Sequence, residues 1–143
     1  MSTRIEAHRR IQADPASTAL LLAGPSALEL WPGVRRVGEV GGRVLIEVAG
    51  PAPTAASVTA RPPRRTPTAF VSRFAWTGPG LPGTEGVLTL TYAQGAGAPT
   101  TRAELVLDSE GLATSRLDEA ALAGMAEQFL VNLAQAAEAR RAA

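Results

Sequence analysis

The sequence predicts an α+β fold in which a curved antiparallel sheet of about six or seven strands wraps round one long C-terminal helix. Three observations carry that expectation. Short runs of alternating apolar and polar residues recur between Thr3 and Asp108, separated by turns rich in Gly and Pro. From Asp118 to about Arg140 the apolar residues instead fall at spacings of three and four, with nothing to break a helix. A hairpin-linked sheet with one apolar face needs a cover, and this helix is the segment long enough to supply it.

The elements follow in order. Thr3 to Ile11 alternates, with Ile5, Ala7, Arg9 and Ile11 on one side and Glu6, His8 and Arg10 on the other, as a half-buried strand does. Asp14-Pro15 is a helix-start pair, because the carboxylate accepts from the first free amides and proline has no N–H to lose there. A short helix through Leu20, Leu21 and Leu22 is expected, and after Gly24-Pro25 a second one, capped by Ser26 and ended by Pro32-Gly33. Val34 to Val40 and Arg43 to Val48 are strands joined by Gly41-Gly42, a pair that tolerates the positive φ angles of a tight hairpin.

Gly50 to Ala56 reads as a loop, Ser57 to Arg61 as a strand ended by Pro62-Pro63, and Arg64, Arg65 and Pro67 as a turn. Thr68 to Trp76 places Phe70, Ser72, Phe74 and Trp76 on one face. Gly78 to Gly83 reads as a loop, a flexible rim for any cavity, and Val87 to Ala93 as a strand with Leu88, Leu90 and Tyr92 together. After a turn over Gln94 to Pro99, Thr101 to Asp108 sets Ala103, Leu105 and Leu107 on one face. Gly111 ends that strand. Ser115 and Asp118 resemble a capping box for the last helix, whose stripe is Leu122, Met125, Ala126, Phe129, Leu133 and Ala136.

Composition narrows the function classes. At 143 residues and 45% hydrophobic content the chain fills one core, so residues 1–143 are read as a single domain. The formal net charge of +1, with both signs scattered, gives no footprint for nucleic acid. With no cysteine and His8 as the one imidazole, no metal site is expected. All 14 basic side chains are arginine, which removes lysine chemistry. A polar N-terminus and the lack of a long apolar run point to a cytoplasmic protein that does not span a membrane. No cofactor is expected, and a homodimer or protein partner stays open.

The order of elements resembles the superfamily of START, birch-pollen-allergen-like and polyketide-cyclase-like domains, often called SRPBCC. Within it the chain is most similar to the CoxG-like branch, named after an accessory protein of carbon monoxide dehydrogenase. The matching stretches are Ala13-Asp14-Pro15 with Leu21-Leu22, Gly24-Pro25 and Pro32-Gly33-Val34; Gly86-Val87-Leu88-Thr89-Leu90 with Thr100-Thr101-Arg102; and Gln128-Phe129-Leu130-Val131-Asn132-Leu133. Trp31 departs from the aliphatic residue that usually precedes the Pro-Gly. The resemblance implies the helix-grip fold and a cavity under the C-terminal helix that takes apolar molecules in many relatives.

The residues expected to face that space are Phe70, Phe74, Trp76, Leu88, Leu90, Tyr92, Leu105, Leu107, Met125 and Phe129, with Trp31 or the Gly78 to Gly83 loop near an opening; the same side chains serve equally as a filled core. Arg9, on the otherwise apolar face of strand 1, is a candidate anchor for a ligand carboxylate or hydroxyl, with a snorkelling or paired arginine as the plainer reading. His8 lacks a visible partner, no serine sits in a nucleophile elbow, and no catalytic residues are assigned. A small hydrophobic-ligand-binding domain therefore leads. The alternatives are a polyketide cyclase or dehydratase in which Arg9 and Tyr92 steer the substrate, and an accessory protein that docks on a redox enzyme.

Overall fold

Alternation along the chain becomes one antiparallel sheet of eight strands in the computed structural model, which describes residues 2–23, 25–49, 53–78, 81–93, 99–110 and 119–142. The strands are β1 (Ser2–Ile11), β2 (Val34–Val40), β3 (Arg43–Val48), β4 (Thr54–Ala60), β5 (Arg64–Arg65), β6 (Ala69–Gly78), β7 (Leu81–Ala93) and β8 (Thr100–Glu110). Their order across the sheet is β1-β8-β7-β6-β4-β3-β2, with β5 paired to β6. Helix α1 (Pro15–Leu20) and a 3₁₀ helix (Pro25–Leu30) connect the two edge strands, and α2 (Glu119–Ala142) follows β8. The fold is α+β, as the sequence predicts.

Local chemistry sets the boundaries. Asp14 caps α1: its Oδ2 accepts from the Ser17 amide at 3.4 Å, and hydrogen bonding to the Ser17 side chain, with the backbone amides of the first turn adding to it, holds the carboxyl below its ordinary pKa. Gly41 and Gly42 adopt φ of +57° and +79°, the pair of left-handed residues that a two-residue hairpin turn demands. Strands β2 and β3 flank that turn with the boundaries expected of them.

Three segments depart from expectation. β4 begins at Thr54, inside the segment read as a loop, because Thr54 to Val58 pairs residue by residue with β3, and ladder formation outweighs the weak strand propensity of its alanines. Arg64 and Arg65 are a two-residue strand opposite Val71 and Phe70 rather than part of a turn. Gly78 and residues 81–83, expected in a loop, are strand; residues 79 and 80 lie outside the described residues. β6 runs to Gly78 and β7 starts at Leu81, with these two residues paired, and β7 gains six residues over the expected start at Val87. The Gly content there misleads because Gly78 is needed for close approach: a Cβ on it would lie 2.5 Å from the Ala55 carbonyl oxygen. The turns at Gln94 and Gly111 and the Ser115 cap lie outside the described residues.

Helix α2 packs closest along β1, and the 3₁₀ helix along β2. The buried face of α2 is broader than the expected stripe. Leu122, Ala126, Phe129, Leu130, Leu133, Ala134 and Ala137 are buried, whereas Met125 and Ala136 are half-buried. They meet Ile5, Ala7 and Ile11 of β1 and Ala103, Leu105 and Leu107 of β8 in one continuous core. A smaller cluster of Ile46, Ala56 and Val58 sits on β3 and β4. Val34 and Trp76 touch both clusters. Among the described residues, no buried side-chain polar atom lacks a partner, and no helix is long and apolar enough to cross a membrane.

Candidate functional site

Because α2 packs along β1 towards one edge of the sheet, the part of the same face formed by β3, β4 and β6 is left with space above it. That space is a cavity of ≈ 350 Å³, within the range of small-molecule sites. Its floor comes from Val44, Ile46 and Val48 of β3, Val58 of β4, Ser72, Phe74 and Trp76 of β6, and Leu88 of β7. Its roof is Met125 and Phe129 of α2. Leu22, Ala27 and Leu28 lie on the connection after α1 and along the 3₁₀ helix, and with Trp31 they close one side.

Aromatic packing shapes the closed end. Trp31 stacks on Phe129 with ring centroids 4.4 Å apart and meets Trp76 edge-on at 5.1 Å and Phe74 edge-on at 6.0 Å. Phe74 and Trp76 are themselves stacked at 5.8 Å. Both tryptophans of the chain therefore stand in the cavity wall. The arrangement is tied to the backbone by Asn132, whose Nδ2 donates to the Leu30 carbonyl at 2.7 Å, while Gln128 Nε2 donates to Asn132 Oδ1 at 2.9 Å. These bonds hold α2 at a fixed distance from the segment that carries Trp31.

Phe74 lies directly opposite Gly86 in the β6–β7 ladder. Its ring folds down over that glycine, so that a Cβ at position 86 would collide with the ring. The missing side chain lets the phenyl ring lie against the sheet instead of standing up into the cavity. Gly86→Ala is expected to lift the ring into the space, lowering affinity for apolar ligands about tenfold while costing about 1 kcal/mol of stability, because the ring has somewhere to go. Parallel ligand titration and urea unfolding check both halves of that expectation.

Of the residues expected at the site, Trp31, Phe74, Trp76, Leu88, Met125 and Phe129 line the cavity together. Leu90 and Leu105 are fully buried and Phe70 nearly so, but all three belong to the core and do not line it. Phe70 instead carries the Arg65 guanidinium over its ring at 5.6 Å. Tyr92 is 51% exposed near the end of β7, and Arg9 is exposed on the edge strand, where a long side chain reaches solvent past the rim. Neither lines the cavity.

Sequence reasoning missed Ser72, the β3 and β4 aliphatics and, above all, Arg36 and Glu39. These two are the only charged side chains among the described residues that line the cavity, and they form an ion pair at 3.1 Å. Strand alternation places residues 36 and 39 on opposite faces. The ladder shows why they meet. Arg36 pairs with Ile46 and Gly38 with Leu45, so Val37 is an extra, bulged residue, and Glu39 pairs with Val44 on the same face as Arg36. Among the described residues, no group of three His, Cys, Asp or Glu is placed to hold a metal.

The sheet, its order and the C-terminal helix define the class: an α+β protein of helix-grip-like fold with an apolar cavity between sheet and helix. No family model matches the sequence, and no curated protein matches it significantly. Solved structures do match in fold. A protein of Thermus thermophilus superposes with a TM-score of 0.62 at 19% identity, over 96% of this chain and 99% of that one. A conserved protein of Geobacillus kaustophilus gives 0.66 at 10% identity over 95% of each chain. A hypothetical protein of Helicobacter pylori gives 0.68 at 9% identity, over 94% of this chain and 88% of that one. At these identities the likeness is one of fold alone.

Proposed function

We propose that this chain is a binding domain of the SRPBCC kind that holds one small apolar or amphipathic molecule between its sheet and α2. The observation that carries the proposal is the cavity of ≈ 350 Å³, walled by aliphatic and aromatic side chains from two layers of the fold. Tight packing is the rule for interiors, and a space of this size left among apolar groups forfeits contacts that a ligand would restore. The bonds from Asn132 and the fold of Phe74 over Gly86 support the reading further, since the first hold α2 beside the segment that carries Trp31 and the second keeps a phenyl ring out of the space.

The cyclase reading depends on Arg9 and Tyr92 facing a substrate, and both lie outside the cavity, so binding without chemistry is the better account. Native mass spectrometry of the purified protein tests the proposal, followed by titration with aliphatic and polycyclic aromatic compounds while tryptophan emission is followed. A one-to-one adduct and a saturable emission change are expected, because both indoles stand in the wall. Absence of any adduct and of any saturable response across both series would leave docking on a protein partner as the better reading.

A further inference from the structure

We infer that the ligand is an amphiphile with a carboxylate head, received by Arg36 at the open end of the cavity; this rests on the binding role proposed for that cavity. The cavity carries charged side chains at one end only. Deep in it, Leu88 and Phe129 are 2% and 3% exposed, whereas the side chains of Arg36 and Glu39 are 31% and 55% exposed. A molecule with an apolar body and a polar head has one orientation that leaves neither mismatched: tail against the aromatic end, head beside the ion pair.

The chemistry of the pair selects the head. Arg36 donates through a single Nη2 to one oxygen of Glu39, in the half-exposed setting where an ion pair is weak. A guanidinium presents a planar fork of five N–H donors suited to two carboxylate oxygens, and one contact leaves most of that capacity unused. A ligand carboxylate that enters with its tail already buried competes with Glu39 at high effective concentration and gains the two-point geometry. The bulge at Val37 is what makes the site: it puts arginine and glutamate on the cavity face together, so that the arginine is held over the mouth by a partner that a ligand can displace.

Affinities for decanoic acid and 1-decanol, measured by tryptophan emission at neutral pH and low salt, test this directly, because the two share a tail and differ in the head. The expected result is that the wild-type chain prefers the acid. Arg36→Gln lowers the acid-over-alcohol ratio about tenfold, and Glu39→Gln, which removes the competitor, raises it several-fold. High salt lowers the ratio as well, since the pair is only half shielded from solvent. If both compounds bind with equal affinity, or if the two substitutions shift the ratio in the same direction, the inference about the head is overturned while the binding function stands. If neither compound nor any other apolar probe binds, both fall.

Discussion

Phe129→Ala is expected to cost about 3 kcal/mol of folding stability and to abolish saturable ligand binding at concentrations that fill the wild-type site. The ring is 3% exposed, stacked on Trp31, and supplies the roof of the cavity. Its removal takes away both a large buried surface and an aromatic contact of the kind that adds about 1 kcal/mol beyond area. The cost stays near the low end of the range for Phe→Ala because one side of the ring already faces open space and has no partner atoms to lose. Urea unfolding measures it as a lower midpoint with an unchanged slope. A loss below about 1 kcal/mol would mean that the ring is not packed as described.

Leu105→Ala makes the opposite case. This side chain is fully buried, lies between Ala7 of β1 and Leu88 of β7 in the ladders, and borders no part of the cavity. Enclosed on all sides, it is expected to cost about 3 to 5 kcal/mol on truncation, more per atom removed than Phe129. Ligand affinity in the surviving folded protein is expected to fall far less than in Phe129→Ala, since Leu105 does not itself line the cavity and reaches it only through its cross-strand neighbour Leu88. The two variants together separate core from cavity wall, a distinction that side-chain type alone does not make. If Leu105→Ala weakened binding as much as Phe129→Ala, the division of the concave face into core and cavity wall would be wrong.

That division also marks where sequence reading stops. Strands β2, β3 and β8 and the long helix are legible because alternation, a Gly-Gly turn and a three-four spacing each report a local geometry. The site is legible only in part. Phe74, Trp76, Leu88, Met125 and Phe129 follow from face and spacing, whereas Trp31, expected near an opening, is buried against Phe129, and Leu90 and Leu105 share the same faces yet end in the core, because which half of the sheet α2 covers is a tertiary fact. Arg36 and Glu39 are hidden for a different reason. A single bulged residue changes the side to which the rest of the strand points, and the one local mark of it is Gly38 beside Val37, a lone glycine inside a strand run. Gly86 stands within a motif, but its purpose, to let Phe74 lie flat, depends on the strand opposite.

The central claim is that the space between sheet and α2 is a ligand cavity rather than a filled core, and diffraction from crystals held under xenon pressure tests it most directly. Xenon enters apolar cavities without needing the right head group or chain length, so its position reports the space itself. An anomalous peak in van der Waals contact with Phe74, Trp76, Leu88 and Phe129 is expected. Crystals in which xenon orders only at the surface, with those four side chains in mutual contact across the site, would contradict it.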